Sequence, residues 1–278
     1  MRNSKKFILL LAMCCLIPFM HTDKVEAKST KVITLEEGKE YNYDLNGDGK
    51  KEKIKYSSTI MEDGGIQYNV NVNKKLAIKT YSEGEGEGAG FYLIDIDSKD
   101  NYKELYVKVV GDTGYYIEGN VYRYEGNKLK IYCSTDNVGE VAGRFELDPV
   151  KTQNGIITFV MDAPFYSGSL GSFYAYIPFK VENGKMALVK KGAYEVSTDW
   201  QKKEYIATKT LSASTTMGGK KKAFSMRLGD TFYLLKISVK DGEIRYIKIK
   251  DATGTVGWIK VPDTEFYMAP YGGIYSWG

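Results

Sequence analysis

In residues 66–73, IQYNVNVN, apolar and polar side chains alternate without a break. Successive side chains of a β-strand point to opposite faces, so this stretch predicts a strand with one buried and one solvated face. Further strands flank the turns EGNK at residues 125–128 and ENGK at residues 182–185, which predict hairpins. Only residues 197–207 suggest a short helix. We therefore predict an all-β chain rich in β-hairpins.

The composition supports a packed protein. The 278 residues are 43% hydrophobic and 13% aromatic, which excludes wholesale disorder. With 29 glycines and 23 tyrosines against 6 prolines, the chain favours short strands joined by glycine turns. The formal net charge of +4 comes from mixed signs, so nothing predicts a nucleic-acid partner.

Residues 1–27 have the features of a secretory signal peptide. A positively charged start is followed by the apolar stretch FILLLAMCCLIPFM at residues 7–20 and by a small-residue cleavage site at Val25-Glu26-Ala27. We expect a secreted, extracellular protein, with attachment to the cell wall as a further option. We expect no transmembrane segment after cleavage; the alternative is an uncleaved anchor.

The chain after residue 27 has no histidine and one cysteine, Cys133. This excludes Ser–His and Cys–His nucleophile pairs, a His/Cys zinc site and an intrachain disulfide. Cys133 follows Leu129 and Ile131 at a period of two, which predicts a buried strand thiol rather than a nucleophile.

Residues 44–52, DLNGDGKKE, place oxygen-bearing side chains at alternate positions of a glycine-rich loop. A hard cation such as Ca²⁺ takes six to eight oxygen ligands, and this spacing offers most of them around one point. The alternative is that the Asn-Gly and Asp-Gly pairs simply form a hairpin turn. The predicted calcium ligands are Asp44, Asn46, Asp48, the backbone carbonyl of Lys50, and Glu52.

A second loop, DIDSKDNYKE at residues 95–104, resembles the first and begins 51 residues later. Its later acids are displaced, so a calcium site and a simple hairpin turn both remain open for this loop. A faint third copy, ELD, stands at residues 146–148. A period of about 50 residues suits one four-stranded blade. The candidate ligands in the second loop are Asp95, Asp97, Asp100 and Glu104.

These aspartate loops between strands resemble FG-GAP/VCBS-type repeats, which occur in integrin-like β-propellers and in many secreted bacterial proteins. The resemblance covers residues 40–110 clearly and 140–160 weakly. It implies structural calcium at the acids of both loops, although Glu52 stands where the family has aspartate. The chain is too short for a full propeller, so residues 28–200 are expected to form a partial propeller or a sandwich. The glycine-rich segments 82–90 and 166–171 are predicted to be surface loops.

Residues 206–268 follow a different pattern of short strands. The strings GDTFYLL from Gly229, YIKI from Tyr246 and TGTVGWIK ending at Lys260 are similar to a bacterial SH3-like (SH3b) domain. The resemblance implies a small barrel that binds peptides or cell-wall material in an aromatic groove. Tyr233, Tyr246 and Trp258 are the candidate ligand-binding residues; the alternative for Trp258 is barrel core.

Two further features accompany this module. The run Lys220-Lys221-Lys222 either attracts anionic wall polymers or is an ordinary solvated loop. The aromatic tail at residues 269–278 either packs back on the barrel or forms a small exposed patch.

The main functional expectation is a secreted or envelope-associated binding protein without enzymatic activity, whose partner is a cell-wall peptide or glycan or another surface protein. The alternative is a hydrolase of glycans or cell walls that works with carboxylates alone. A scaffold without a small ligand is a third option. The acids considered for hydrolysis are Glu83, Glu85, Glu87 and Asp199.

Overall fold

The computed structural model describes residues 30–83, 86–111, 116–135, 141, 148–265 and 268–272. In these residues the regular structure is almost entirely β, arranged in four sheets, which confirms the all-β prediction. The helical element among the named elements is one turn of 3-10 helix, Trp200–Lys202. The predicted helix over residues 197–207 is therefore wrong beyond this turn, because Glu204–Ala207 is a strand that buries Tyr205 and Ala207.

Two short strands open the described chain, β1 (Thr30–Lys31) and β2 (Ile33–Thr34). The first sheet follows in the order β3-β4-β5-β6. The prediction for residues 66–73 is confirmed, because β5 buries alternate side chains and exposes the others more. The strands are β3 (Tyr41–Tyr43), β4 (Glu52–Ile60), β5 (Ile66–Val72) and β6 (Lys75–Ser82).

The second and third sheets repeat this antiparallel order. The N-terminal strands join them to one another, since β2 pairs with β7 and β1 pairs with β11. The strands of the second sheet are β7 (Gly86–Ile94), β8 (Glu104–Gly111), β9 (Tyr116–Glu125) and β10 (Lys128–Ser134). Those of the third are β11 (Asp148–Gln153), β12 (Ile156–Asp162), β13 (Tyr174–Glu182) and β14 (Lys185–Leu188).

One glycine-rich segment differs from its prediction. Residues 86–90 begin strand β7 instead of forming a surface loop. A Cβ at Gly86 would lie 2.4 Å from Ile66 Cγ1, so glycine here permits close packing against the first sheet rather than flexibility. The other segment, residues 166–171, lies outside the named strands, as predicted, but it is not a surface loop throughout, because Ser169 and Leu170 are only 1% and 0% exposed.

The fourth sheet contains eight strands and curves as half a barrel. Its main path runs β18-β17-β21-β20-β19-β16-β22, and β15 also pairs with β19. The strands predicted between residues 229 and 261 are present, but the sheet has eight strands and is larger than the small barrel expected for residues 206–268. The strands are β15 (Tyr194–Glu195), β16 (Glu204–Ala207), β17 (Leu211–Ser214), β18 (Lys222–Met226), β19 (Thr231–Lys240), β20 (Glu243–Asp251), β21 (Val256–Lys260) and β22 (Tyr271–Gly272).

Two clusters of buried side chains form the core. One cluster joins the first sheet to the second, and the other contains residues of the second, third and fourth sheets. In the second cluster, the ring of Phe159 lies 5.5 Å from that of Tyr106 and 5.9 Å from that of Phe179. The second cluster therefore contains residues from both sides of positions 196–206, where the change of sequence pattern predicts a domain boundary.

The aromatic tail packs back on the fourth sheet where it is described. Tyr271 is 2% exposed, and its ring contacts those of Tyr205 and Phe232 edge-on. The other tail aromatics, Tyr275 and Trp277, lie outside the described residues.

The predicted signal peptide, residues 1–27, also lies outside the described residues. Among the residues that the structure describes, no helix is both long and apolar enough to cross a membrane.

Replacement of Phe159 tests the shared core. Phe159 is fully buried between the second and third sheets, so Phe159→Ala should lower the free energy of unfolding by about 3–5 kcal/mol. Urea unfolding followed by tryptophan fluorescence measures this loss. Ile131→Ala, at a side chain that is 60% exposed, should change stability by less than about 0.5 kcal/mol. Equal effects of the two substitutions would contradict the placement of Phe159.

Candidate functional site

The first acidic loop connects β3 to β4 and is held by its own oxygen atoms. The carboxylate of Asp44 accepts hydrogen bonds from the N–H groups of Gly47 at 2.8 Å and Gly49 at 2.9 Å. The side chain of Asn46 accepts one from the N–H of Asp48, whose own carboxylate accepts one from Lys50. Gly47 and Gly49 have φ angles of 72° and 83°, which favour glycine. These two glycines therefore permit the tight turn of the loop.

Each acidic loop ends in a buried glutamate with the same hydrogen bond. Glu52 Oε2 accepts the N–H of Leu45 at 2.9 Å, and Glu104 Oε2 accepts the N–H of Ile96 at 3.2 Å. The two glutamates are 5% and 0% exposed. Leu45 and Ile96 directly follow the first aspartates of their loops, so these loops share a hydrogen-bonding pattern as well as a sequence pattern.

The loops also contact one another through the backbone. The carbonyl of Leu45 accepts the N–H of Lys103, and the carbonyl of Ile96 accepts the N–H of Gly155 in the turn between β11 and β12. A Cβ at Gly47 would lie only 2.1 Å from the Cβ of Asn101. The first three sheets are thus joined in sequence at one end.

Protein cations neutralise the second loop. The guanidinium of Arg123 donates to Glu104 Oε1 through Nε at 3.0 Å and to Asp100 Oδ2 through Nη2 at 2.9 Å. It lies over the rings of Tyr102 and Tyr132, with its Cζ 4.5 Å and 4.0 Å from their centroids. Burial raises the pKa of Glu104, and Arg123 opposes that rise.

The other two candidate calcium ligands of the second loop, Asp95 and Asp97, have different partners. Lys103 Nζ lies 3.9 Å from Asp95 Oδ2, and desolvation raises the pKa of Asp95. The carboxylate of Asp97 accepts the N–H of Lys99. Asp100 and Glu104 therefore share Arg123, while Asp95 and Asp97 have separate partners.

The first loop has no such cation. Among the described residues, no lysine or arginine nitrogen lies within 4.0 Å of a carboxylate oxygen of Asp44, Asp48 or Glu52. The available donors are all hard oxygens of the kind that Ca²⁺ prefers. They are directed at backbone N–H groups, and within the described residues no three acidic, cysteine or histidine side chains form a preformed metal centre. The donor chemistry fits calcium, and binding would require the side chains to converge.

Replacement of Arg123 tests the charge balance of the second loop. Arg123→Met leaves Glu104 buried without its cation, which should cost about 3–5 kcal/mol of stability at pH 8. Because the folded-state pKa of Glu104 is raised, the folded protein holds this proton more tightly than the unfolded chain. The loss should therefore shrink as the pH falls through that raised pKa. Urea unfolding at pH 8 and pH 4.5 measures both effects.

Two further variants give the controls for this experiment. Glu104→Gln in the Arg123→Met background removes the buried, unpaired charge of Glu104 and should restore a large part of the lost stability. Lys130→Met breaks the exposed Lys130–Glu125 pair and should cost less than about 1 kcal/mol. A double variant no more stable than Arg123→Met would refute the buried-charge explanation.

The structure brings Tyr246 and Trp258 together in a groove of the fourth sheet. This groove has a volume of about 360 Å³ and is also lined by Lys220, Lys222 and Lys260. We call it the lysine groove. Its remaining lining residues are Ser212, Ala213, Ser214, Gly218 and Gly219.

Strand register places these side chains on one face. In the β20–β21 ladder Tyr246 is opposite Lys260, and Lys248 is opposite Trp258. The intervening Ile247 is fully buried on the other face, as the alternation of strand side chains requires. Tyr246 and Trp258 are both half-buried, so Trp258 lines the groove while packing against the sheet.

The β17–β18 connection forms one wall of the groove. Ser214 pairs with Trp258 across β17 and β21, which holds the two strands together. The hydroxyl of Ser214 lies 2.8 Å from the carbonyl oxygen of Thr216 and 3.2 Å from that of Trp258. A Cβ at Gly218 would lie 3.3 Å from the hydroxyl of Tyr246, and the φ of Gly218 is 69°. Glycine at this position therefore keeps the groove open above Tyr246.

The third predicted ligand residue, Tyr233, is not among the lining residues of the groove. Its hydroxyl donates to Glu204 Oε1 at 2.7 Å, and this hydrogen bond raises the pKa of Tyr233. Lys250 Nζ lies 5.1 Å from the centroid of its ring. Tyr233 thus belongs to a separate polar cluster on the sheet.

Sequence reasoning missed several residues of these sites. Lys260 could have been found from the register of the YIKI and GWIK strands, which places it opposite Tyr246. Arg123 lies 19 residues from Glu104, so only the strand pairing shows that the two side chains meet.

The acids considered for hydrolysis are exposed where the structure describes them. Glu83 and Glu87 are exposed, and Glu85 lies outside the described residues. Asp199 is exposed and pairs with Lys202, whose hydrogen bond lowers the pKa of Asp199. Cys133 is 2% exposed in β10, and burial raises the pKa of its thiol to about 12. The prediction of a buried strand thiol is confirmed.

No protein-family model matches the chain, and no match was found among curated proteins or solved structures. The resemblances to FG-GAP/VCBS-type repeats and to SH3b domains therefore rest on the sequence segments alone. The function is inferred from the arrangement of the side chains.

Proposed function

We propose that this chain is an exported binding protein whose ligand site is the lysine groove. The observation that supports this most directly is that Tyr246 and Trp258 share one open groove with three lysines. Aromatic rings supply apolar contact area, and a few polar groups around them supply orientation, which is the usual composition of a binding site. Cell-wall material or a surface peptide is the proposed ligand, in keeping with the signal-like residues 1–27.

The proposed architecture is a partial propeller followed by an SH3-like module. Three antiparallel sheets of similar strand order, the 51-residue spacing of Asp44 and Asp95, and the hydrogen bonds between successive loops support three blades. Strands β19, β20 and β21 coincide with the segments that resemble an SH3b domain, which supports the second part.

The first acidic loop is the proposed structural calcium site. Glu52 is buried without a cationic partner, whereas Glu104 at the matching position has Arg123. A buried carboxylate is costly without a compensating charge, and bound Ca²⁺ would supply that charge. Asp44, Asn46, Asp48, the Lys50 carbonyl and Glu52 would hold it. The second loop, where Arg123 already serves Asp100 and Glu104, needs no metal ion.

Calcium addition tests this site. At about 10 mM Ca²⁺ and a dissociation constant of about 0.1–1 mM, binding should raise the free energy of unfolding by about 1.4–2.7 kcal/mol relative to chelator. Differential scanning calorimetry detects this as a higher Tm. Asp48→Ala should remove most of the rise, whereas Asp97→Ala should leave it unchanged. Identical Tm values in calcium and in chelator would overturn the calcium proposal.

Retention on insoluble bacterial cell-wall material tests the ligand site. The purified protein should bind saturably, and Trp258→Ala or Tyr246→Ala should lower its affinity by about tenfold or more, because each removes an aromatic wall of the groove. Tyr166→Ala is the matched control, since the Tyr166 side chain is 65% exposed and outside the groove. Retention that is the same for all four proteins would refute the proposed site.

A further inference from the structure

We infer that the ligand of the lysine groove is a negatively charged polymer of sugars or polyols. This inference rests on the proposed function and specifies the ligand chemistry of the same site. The shared feature of such polymers is an anionic group, either a carboxylate or a phosphate, beside C–H surfaces that pack on aromatic rings. The groove offers the complement of both features.

The first line of evidence is charge. Three lysines line the groove, and no aspartate or glutamate is among the lining residues. Within the described residues, no carboxylate oxygen lies within 4.0 Å of Lys220, Lys222 or Lys260. Like charges in one groove repel one another and create a positive potential, which a bound anion would relieve.

The second line of evidence is the arrangement of rings and ammonium groups. Across β20 and β21, Tyr246 is opposite Lys260 and Lys248 is opposite Trp258. Lys248 Nζ lies 5.9 Å from the centroid of the Trp258 ring. Aromatic and cationic side chains therefore alternate on one surface. A polymer whose apolar and anionic parts alternate matches this pattern better than a neutral ligand does.

The third line of evidence concerns the backbone. Strand β20 pairs with β19 and β21, and β21 pairs with β20 and β17. The two strands that carry Tyr246 and Trp258 therefore have neighbours on both sides, and the sheet ends at β18, which carries Lys222. An extended peptide could add a strand only along that outer edge, which β17 separates from β21. Contacts with the two aromatic rings must therefore come from side chains, which favours a carbohydrate or polyol over an extended peptide.

Lysine is suited to such a repeating ligand. Its ammonium group is a compact, flexible charge that does not require the planar, two-point geometry of an arginine contact. Lys220, Lys222 and Lys260 are all exposed, so they are free to adjust to anionic groups at varied positions. Affinity should accordingly fall with added salt, because exposed charges are screened.

Binding measurements with defined polymers test the inference. Isothermal titration calorimetry would compare polygalacturonate, poly(glycerol phosphate), neutral dextran and single-stranded (dT)20 at 50 and 500 mM NaCl. We expect at least one of the first two to bind about tenfold more tightly than dextran and (dT)20, with about a tenfold loss at the higher salt. The tighter of the two identifies carboxylate or phosphate as the anionic group.

Paired lysine variants separate groove binding from diffuse attraction. The double variant Lys222→Gln/Lys260→Gln should lose about tenfold in affinity. Lys55→Gln/Lys79→Gln removes the same charge from exposed strand positions of the first sheet and should stay within about twofold. Equal losses in the two double variants, no loss in either, or no binding to either anionic polymer would overturn the inference.

The remaining outcomes distinguish the inference from the proposed function. If dextran binds as tightly as the charged polymers, or (dT)20 binds more tightly, the anionic-carbohydrate inference is wrong. The proposed function would then still stand if Trp258→Ala abolishes retention on cell-wall material. If Trp258→Ala has no effect on that retention, the proposed function itself fails.

Discussion

A buried carboxylate at the end of each acidic loop determines how the first part of the molecule is assembled. Glu52 and Glu104 accept the N–H group that follows the first aspartate of each loop. That hydrogen bond fixes the direction of Leu45 and Ile96, whose carbonyls accept N–H groups from the next loop. Because buried backbone groups need partners, loss of either glutamate would affect the contact between sheets as well as its own loop.

Burial of the two glutamate carboxylates also has an electrostatic cost. A carboxylate removed from water needs a nearby cation or a proton. At Glu104 the protein supplies Arg123, held between Tyr102 and Tyr132. At Glu52 the described residues supply none within ion-pair distance. Two loops that are similar in sequence therefore differ in whether a protein cation lies beside the buried carboxylate.

Local patterns predicted local structure well. The alternation in residues 66–73 gave β5, the ENGK turn joins β13 to β14, and Cys133 is buried as its period implies. The sequence predicts a loop at residues 86–90, because the glycines in a sequence do not show which side chains pack against them in the folded protein. Only the approach of Gly86 to Ile66 explains why glycine is needed in that strand.

Long-range contacts limited the prediction of the candidate sites. Tyr246 and Trp258 were found from short strings, but Tyr233 lies opposite Lys250, four residues along β20 from Tyr246. A separation of four strand residues is about 13 Å, which is enough to remove Tyr233 from the groove. The β19–β20 ladder contains two register shifts between Tyr233 and its hairpin turn, and such bulges cannot be read from composition or from short motifs.

The chain has a small net charge but contains two sites of opposite local charge. The first acidic loop gathers carboxylates on one sheet, and the lysine groove gathers ammonium groups on another. Summed over the chain these charges nearly cancel, so the formal value of +4 says little about either site. Electrostatic attraction acts over roughly one Debye length, about 8 Å at physiological salt. A ligand therefore interacts with the local charge of the groove. The positions of the lysines in the sheet affect its binding more than the net charge of the whole chain does.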